Sequence, residues 1–337
     1  MKLQTRSVRG PLWILLSVLG LVSALTGCSS PEPTGSAGEL ADLRVGVATG
    51  VVAEATVMEL RAAPSIPGVI RRVSFQQLAT PDQIRAAFAA GTVDIATMPT
   101  TVAANLANRD ADLTLLGVVD ARLLHLLGPA GAPTTWQGLR GKTVHLPFRG
   151  DAADTMTRYL LAQNGLTADR DVRLAYHSQL PELTSGLAAG QFEYAVLPEH
   201  MASLAVRTAT AAGHPTQALL DLQQEWQRGK GSALVQTAVV IRGALARERP
   251  GLVRVLQEKI TGSVGQVRQA PNEAASRMVV TLQAPEPVIA AALARLDPEF
   301  RTAGSARTDI EELLKVYLAS NPDAIGGGLP SDDFYGA

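Results

Sequence analysis

The sequence repeats one short unit, which reads AAFAAGTVDIA at residues 86–96 and SGLAAGQFEYA at residues 185–195. In each copy a helical pattern ends at a glycine, Gly91 or Gly190, and an acidic residue then precedes a short apolar run. A proline follows each apolar run, where the first turn of a new helix tolerates it. Helices that alternate with short buried strands are typical of βαβ units. Two copies therefore predict two similar lobes; chance similarity between two helix-to-strand turns is the alternative.

The same alternation runs through residues 42–242 and predicts an α/β fold. Strands are predicted at residues 43–48, 69–75, 93–97, 113–119, 141–146, 172–176 and 194–197. Helices are predicted at residues 54–61, 82–90, 99–108, 151–164, 180–189 and 198–207. Thr80 stands directly before Pro81, which predicts a hydroxyl N-cap followed by a first-turn proline. Strands joined by helices of this length favour parallel sheets with right-handed crossovers.

Composition excludes several classes of protein. The chain has 337 residues, with 30 Lys and Arg against 31 Asp and Glu, so it lacks the basic surplus of a nucleic-acid binder. Its one cysteine excludes an internal disulfide and a thiolate-held metal cluster within the chain. No P-loop, GxGxxG or GxSxG motif follows a predicted strand. We therefore expect neither a cofactor nor nucleotide hydrolysis by this chain.

The N-terminus has the pattern of a secretory signal peptide. Basic residues, among them Lys2 and Arg9, precede an uncharged segment at residues 11–27, which is short for a membrane-spanning helix. We expect the mature protein to work outside the cytoplasm.

The residues at the end of that segment, Leu25-Thr26-Gly27-Cys28, resemble the lipobox of bacterial lipoproteins. The resemblance implies a signal peptide at residues 1–27 that is cut before Cys28, which then carries acyl chains on its sulfur and, usually, its amine. Two or three chains make a stable membrane anchor where one would not. Residues 28–41, rich in Ser, Pro and Gly, predict a flexible tether. A plain signal peptide with an incidental cysteine, or an uncleaved anchor, are the alternatives.

Three motifs carry a resemblance to a larger family. They are GTVDIA at residues 91–96, WQGLRGKTV at residues 136–144 and LAAGQFEYAV at residues 187–196. In this order they resemble the type II periplasmic substrate-binding proteins of ABC importers, in particular the group that binds sulfonates, taurine, nitrate and thiamine precursors. The motifs anchor roughly residues 42–242, and they specify the superfamily better than the ligand.

The resemblance implies two lobes, each a mainly parallel sheet flanked by helices, with one ligand in the cleft between them. Lobe 1 is expected at residues 42–121 and 243–337, and lobe 2 at residues 129–235. Crossing segments are expected at residues 122–128 and 236–242. Residues 325–337 are expected either as a strap across lobe 1 or as a frayed tail.

The candidate ligand-binding residues lie where predicted strands end, since open α/β sheets bind ligands at the carboxyl ends of their strands. They are Thr49, Gly50, Thr97, Met98, Thr100, Asp120, Arg149, Gly150, Asp151, His177, Glu199 and His200. Helix N-termini at these places favour anions.

Several of these residues have a structural alternative. Arg149 would clamp an acidic ligand, or it would only pair with Asp151 or Asp154. Thr97 and Thr100 resemble hydroxyl ligands of the family, but both are ordinary helix-capping residues.

The remaining polar candidates leave the sign of the ligand open. Asp120, His177, Glu199 and His200 would recognise a cationic or hydrogen-bonding heterocycle rather than a bare anion. Glu199 has a structural alternative as a first-turn acid that the helix dipole favours. A metal site of His177, Glu199 and His200 has suitable ligand types but no regular spacing, so no metal is expected.

The resemblance implies a monomeric, lipid-anchored solute-binding subunit that presents its ligand to a membrane permease, with a separate ATPase chain. A tethered sensor for a membrane kinase is one alternative. Another is an enzyme like the pyrimidine-precursor synthases or menaquinone-pathway dehydratases, which share the fold. We expect no catalysis, and a cysteine nucleophile is excluded because the single thiol is expected to be acylated.

Overall fold

Two β-sheets organise residues 38–336, the part of the chain that the computed structural model describes. The chain begins with β1 (Leu43–Ala48), α1 (Val51–Ala62), β2 (Val73–Leu78), α2 (Pro81–Ala89), β3 (Ile95–Pro99), α3 (Thr100–Ala107), β4 (Leu113–Asp120) and β5 (Leu124–Pro129). It continues with β6 (Thr143–Pro147), α4 (Ala152–Gln163), β7 (Arg173–His177), α5 (Leu180–Ala188), β8 (Tyr194–Pro198), α6 (Glu199–Ala211), β9 (Thr216–Asp221), α7 (Leu222–Lys230) and β10 (Thr237–Arg242). It ends with α8 (Gly243–Glu248), α9 (Pro250–Gln269), α10 (Pro271–Leu282), α11 (Glu286–Leu296), β11 (Glu299–Thr302) and α12 (Ala303–Ser320).

The two sheets share one strand order. The first runs β2-β1-β3-β10-β4-β11 and the second runs β7-β6-β8-β5-β9. If β1 is matched with β6, β2 with β7 and β3 with β8, the two orders agree over five strands. In each sheet one strand, β10 or β5, runs antiparallel between parallel neighbours. The predicted fold is confirmed: each lobe is a mainly parallel sheet flanked by helices.

The repeated sequence unit forms the same structure in both lobes. It is the end of α2, a turn and β3 in lobe 1, and the end of α5, a turn and β8 in lobe 2. Gly91 and Gly190 have φ angles of 62° and 67°, in the left-handed region that glycine tolerates best. The predicted N-cap is confirmed as well, since the Thr80 hydroxyl accepts the Gln83 N–H at 3.2 Å.

The expected crossing segments are mostly strands. Residues 124–129 form β5, which pairs with β8 and β9, and residues 237–242 form β10, which pairs with β3 and β4. Both are apolar and buried, so their backbone groups need the partners that a sheet supplies. The chain passes between the sheets at residues 121–123, named crossing 1, and at residues 231–236, named crossing 2. The expected strand at residues 69–75 is also displaced, because β2 begins at Val73.

The helices after β10 return to lobe 1 and also reach lobe 2. α9 packs along α1 in lobe 1, while α11 contacts α6 and α12 contacts α4 in lobe 2. The last helices therefore bridge the lobes. Within residues 38–336 no single helix has the length and hydropathy of a membrane span; α10 and α11, bent by 120°, meet that criterion only as a pair.

Residues 321–336 lie across lobe 1 as a strap. The Asn105 side-chain amide donates to the carbonyl of Asp323 at 2.9 Å, and the Asn108 amide donates to the carbonyls of Ile325 and Gly328 at 2.7 Å. Phe334 is buried near the end of this segment. Of the two expectations for the C-terminus, the strap is the one observed.

The acidic residue of the first repeat holds three strands together at the end of the sheet where β3 begins. Asp94 is buried, and its carboxylate accepts from the Arg44 backbone N–H at 2.9 Å and from the Arg44 side chain at 2.9 and 2.7 Å. Arg242 at the end of β10 contacts the same carboxylate at 2.5 Å. Burial opposes the negative charge, but the Arg44 hydrogen bonds prevail and lower the Asp94 pKa. The corresponding Glu193 of lobe 2 contacts Lys142 at 3.4 Å at the surface.

We predict that Asp94→Ala lowers the free energy of unfolding by about 1–3 kcal/mol, because it leaves the Arg44 backbone N–H and two partly exposed guanidinium groups without their acceptor. Asp82→Ala removes an exposed ion pair with Arg85 and should cost less than about 1 kcal/mol. Urea unfolding of both variants measures the difference, and equal losses would contradict the role given to Asp94.

Candidate functional site

The carboxyl ends of the parallel strands of both sheets lie next to the segments that join the lobes. Crossing 1 leaves the end of β4 at Asp120 and enters β5 at Leu124. α7 and crossing 2 lead from the end of β9 to the start of β10. Because Leu124 pairs with Pro198 and Thr237 pairs with Pro99, the ends of β8 and β3 also lie at this junction. This edge of each sheet is where open α/β proteins bind ligands.

Each crossing segment closes the N-terminus of one helix. The Thr100 N–H at the start of α3 donates to the Gln236 carbonyl at 3.0 Å, and the Thr100 hydroxyl donates to the Val235 carbonyl at 2.6 Å. In lobe 2 the Glu199 N–H at the start of α6 donates to the Leu123 carbonyl at 2.8 Å. These amides would otherwise be unpaired at a helix start. Thr100, a candidate ligand residue, therefore already forms hydrogen bonds to crossing 2.

The other candidates on β3 contact residues of lobe 1. Thr97 is buried, and its hydroxyl oxygen accepts the Ala48 N–H at 3.0 Å. Met98 is part of the apolar core. Thr49 and Gly50, which follow β1, are more open, and Gly50 precedes the first residue of α1 without a side-chain cap. The first amides of α1 therefore remain a candidate place for an acceptor group of a ligand.

The loop after β6 places Arg149 at the surface. Its guanidinium lies 4.3 Å from the centre of the Tyr176 ring, and the Tyr176 hydroxyl donates to Asp154 at 2.8 Å. Phe148 before it has a φ of 39°, which is uncommon for a non-glycine residue. The Gly150 N–H donates to the Asp154 carboxylate at 2.8 Å, and Asp151 is exposed. Carboxylates thus already lie at this helix start, which makes it a poorer anion site than the sequence indicates.

Glu199 forms a buried ionic contact within lobe 2, next to lobe 1. One oxygen lies 2.6 Å from His125 Nε2, and the other accepts from the Ser203 hydroxyl at 2.5 Å. Arg295 of α11 lies 3.7 Å from the Glu199 carboxylate. Burial opposes protonation of His125, but the hydrogen bond and charge of Glu199 prevail and raise its pKa. Both Glu199 oxygens have partners within the protein.

His177 also has partners on both ring nitrogens. Its Nε2 lies 2.9 Å from His145 Nδ1, and its Nδ1 lies 2.9 Å from the Glu182 carboxylate. Phe192 stacks on His145 with ring centres 3.9 Å apart. Burial and the neighbouring His177 lower the pKa of His145. No group of three or more His, Cys, Asp or Glu side chains within residues 38–336 is arranged to hold a metal ion.

Asp120 belongs to a polar group that the sequence only partly indicates. The Gln223 side-chain amide, at the start of α7 in lobe 2, donates to its carboxylate. Gln236 is the residue before Thr237, which pairs with Val119, so it lies beside Asp120 at the end of the neighbouring strand. Gln223 Oε1, Gln236 Nε2 and His200 Nδ1 are buried and have no hydrogen-bond partner among the residues that the structure describes. Unpaired buried polar atoms are rare and call for water or a ligand.

Asp120 and His200 are among the sequence candidates, whereas Gln223 and Gln236 are not. One signal for Gln236 is an amide side chain that interrupts the apolar run from Leu234 to Val240. We name Asp120, Gln223 and Gln236 the junction group.

A cavity of about 620 Å³ also lies between the lobes. It is lined by α4 of lobe 2, by the end of α7 and by the end of α12, including Gly150, Tyr159, Lys230, Ser320 and Asn321. The volume is within the range of small-molecule sites. Of the sequence candidates, Gly150 lines this cavity.

Comparisons with known proteins support the fold. No protein-family model and no curated protein matches the chain. Solved structures match over most of its length. An ABC transporter from Parabacteroides distasonis is 23% identical with a TM-score of 0.73, and the match covers 87% of this chain and 97% of that one.

Two further similar structures are of a sulphonate-binding and a nitrate-binding protein, the group that the three sequence motifs resemble. The periplasmic aliphatic sulphonate-binding protein SsuA from Escherichia coli is 15% identical, with a TM-score of 0.65 and coverage of 86% and 92%. The periplasmic nitrate-binding protein NrtA from Synechocystis PCC 6803 is 13% identical, with a TM-score of 0.64 and coverage of 86% and 85%. At these identities the likeness establishes the fold, and it confirms at that level the resemblance to the sulfonate- and nitrate-binding group.

We predict that the His125–Glu199 pair makes stability depend on pH. Folding raises the pKa of His125, so its protonated form stabilises the folded protein. This stabilisation is complete at pH values below the pKa of histidine in the unfolded chain, about 6.5, and it is lost as the pH rises through the pKa in the folded protein. The difference in free energy of unfolding between the wild type and His125→Gln should therefore shrink as the pH rises above about 6.5. Urea unfolding across this range measures it, and a difference independent of pH would contradict the assignment.

Proposed function

We propose that this protein is an extracytoplasmic solute-binding subunit of an ABC importer. It captures a small molecule between its two lobes and delivers it to a membrane permease, while a separate chain hydrolyses ATP. The observation that carries the proposal is the set of unpartnered polar atoms of the junction group, on the segments that join the lobes. A bound solute would satisfy them and would contact both lobes at once. The fold shared with ABC-importer binding proteins agrees with this role.

Closure of the lobes is the proposed mechanical step. Crossing 1 has three residues and is held on both sides, because the Arg122 N–H donates to the Leu296 carbonyl at 2.9 Å and Glu199 binds Leu123. Bending is thus restricted to the crossing segments, while the packing of α6 on α11 and of α4 on α12 would open and close. A solute shifts this equilibrium only by its preference for the closed state. The hydrogen bond from Gln223 of lobe 2 to Asp120 of lobe 1 belongs to the closed state.

We propose that the protein binds its solute without catalysing a reaction. Glu199 and His177, the acid–base residues nearest the strand ends, are engaged by His125 and His145. Asp120, the half-buried carboxyl group of the junction group, has no nucleophile hydrogen-bonded to it within residues 38–336. We propose that the protein acts as a monomer.

The membrane anchor rests on sequence alone, since residues 1–37 lie outside the described residues. The lipobox-like Leu25-Thr26-Gly27-Cys28 after an apolar segment supports acylation of Cys28. Two or three acyl chains would hold the receptor at the outer face of a membrane, close to its permease.

We predict that Gln236→Leu weakens solute binding by roughly 5- to 150-fold, the range expected when a buried hydrogen-bond partner is lost. The measurement is calorimetry or thermal shift with a solute that mass spectrometry identifies in the purified protein. Gln191→Leu is the matched control, because it makes the same replacement at an exposed position. An unchanged affinity in Gln236→Leu, with folding intact, would contradict the proposed site.

We also predict that Cys28→Ala releases the protein from the membrane fraction without changing its affinity for that solute, because the anchor and the binding lobes are separate. Membrane fractionation and metabolic labelling with a fatty acid measure this. Ser30→Ala is the control within the tether. Membrane retention of Cys28→Ala would contradict lipidation.

A further inference from the structure

Asp120 is a half-buried carboxyl group that few positive charges stabilise. Among residues 38–336, Gln223 of α7 donates the one side-chain hydrogen bond that Asp120 accepts. On the neighbouring β11, Arg301 attracts it and Glu299 repels it, and Asp309 of α12 repels it as well. Arg301 is held by Asp309 and by the Ser305 carbonyl. Burial, which outweighs Arg301, raises the Asp120 pKa to about 6.

The positively charged side chain of Arg122, in crossing 1, also has an acidic partner. It lies 3.7 Å from Asp221. His200, at the start of α6, adds no positive charge, because burial lowers its pKa and keeps its ring neutral at pH 7. The junction group therefore contains one ionisable acid and no positively charged side chain.

Hydrogen-bonding capacity at the junction group favours donors on the ligand. Gln223 donates a side-chain N–H to Asp120, and its Oε1 is a buried acceptor without a partner in the described part of the chain. The ionised Asp120 carboxylate also has acceptor capacity beyond the bond from Gln223. Gln236 Nε2 supplies one donor. A ligand that satisfies this group must offer N–H or O–H donors to two acceptors and one acceptor to Gln236.

A sulfonate, nitrate or carboxylate ion offers acceptor oxygens only. Placed at the junction group, it would satisfy Gln236 but leave Gln223 Oε1 unpaired and bring a second negative charge to Asp120. Both effects are unfavourable where water is excluded. An amide, an amidine or an amino-substituted heterocycle carries adjacent donors and acceptors without negative charge.

We infer that the solute is a neutral or cationic N–H-bearing compound of the amide, amidine or amino-heterocycle class, bound through Asp120, Gln223 and Gln236. This inference rests on the proposed solute-binding function and identifies the chemistry of its ligand. It separates this protein from the anions named for the sulphonate- and nitrate-binding proteins that share its fold.

The first experiment uses ligands of one shape and different charge. Benzamide, benzamidine, benzoate and benzenesulfonate are tested by thermal shift with the purified mature protein, and small molecules released from the protein are identified by mass spectrometry. Stabilisation by benzamide or benzamidine, or release of an uncharged or cationic N–H compound, supports the inference. Preferential binding of an anion overturns it and leaves the proposed function standing. If nothing is bound or released, both are contradicted.

The second experiment reads the role of Asp120 from pH. A ligand that donates to the ionised carboxylate should bind roughly tenfold more weakly at pH 5 than at pH 7.5, since Asp120 protonates near pH 6. Benzamide and benzamidine keep their own charge over this range. An anion would show the opposite trend. Asp120→Asn should abolish the dependence, and an unchanged pH profile in this variant overturns the role of Asp120.

A third variant separates this role from a structural one. Glu299 is exposed, and its charge raises the Asp120 pKa. Glu299→Gln should therefore move the midpoint of the affinity profile to lower pH while binding at pH 7.5 is retained. A midpoint that stays in place would show that another group controls the titration.

Discussion

Two backbone hydrogen bonds define the geometry on which the rest of the molecule depends. The first amide of α3 donates to Gln236 of crossing 2, and the first amide of α6 donates to Leu123 of crossing 1. Each bond satisfies a helix start that has no side-chain cap, and each bond fixes a crossing segment to one lobe. As a result each crossing segment is tied to one lobe, and the first amide of α3 and the first amide of α6 are already paired within the protein.

The two lobes are alike in topology but differ in their electrostatics. In lobe 1 the acidic residue of the repeat is buried between Arg44 and Arg242 and ties β1, β3 and β10 together. In lobe 2 the equivalent Glu193 makes a longer, exposed contact with Lys142. A buried acid of lobe 2, Glu199, lies beside crossing 1, where it contacts His125 of the same lobe and faces Arg295 of the bridging helix α11.

The fold and the ligand chemistry are separate matters in this protein. Its backbone resembles proteins named for sulphonate and nitrate binding, yet identities of 13–15% carry no information on which side chains line the junction. Those side chains are an acid with a raised pKa and two amides. Arg149, the residue that would suit an acidic ligand, lies at the surface over Tyr176. The proposed ligand class follows from these residues rather than from the fold.

The sequence by itself determined the two-lobed α/β architecture, because a glycine stop, an acidic residue and a buried strand recur at residues 86–96 and 185–195 and local backbone preferences act over that distance. It also determined Thr80 as an N-cap and gave the strand ends at which Asp120 and His200 lie. It could not show that Glu199 pairs with His125 or that Thr100 forms hydrogen bonds to crossing 2. Nor could it show that Gln223 and Gln236 lie beside Asp120. Those contacts join residues about 75 to 135 positions apart, as for Glu199 with His125 and Thr100 with Val235. Only tertiary structure decides which polar groups find a partner within the protein, and therefore which remain for a ligand.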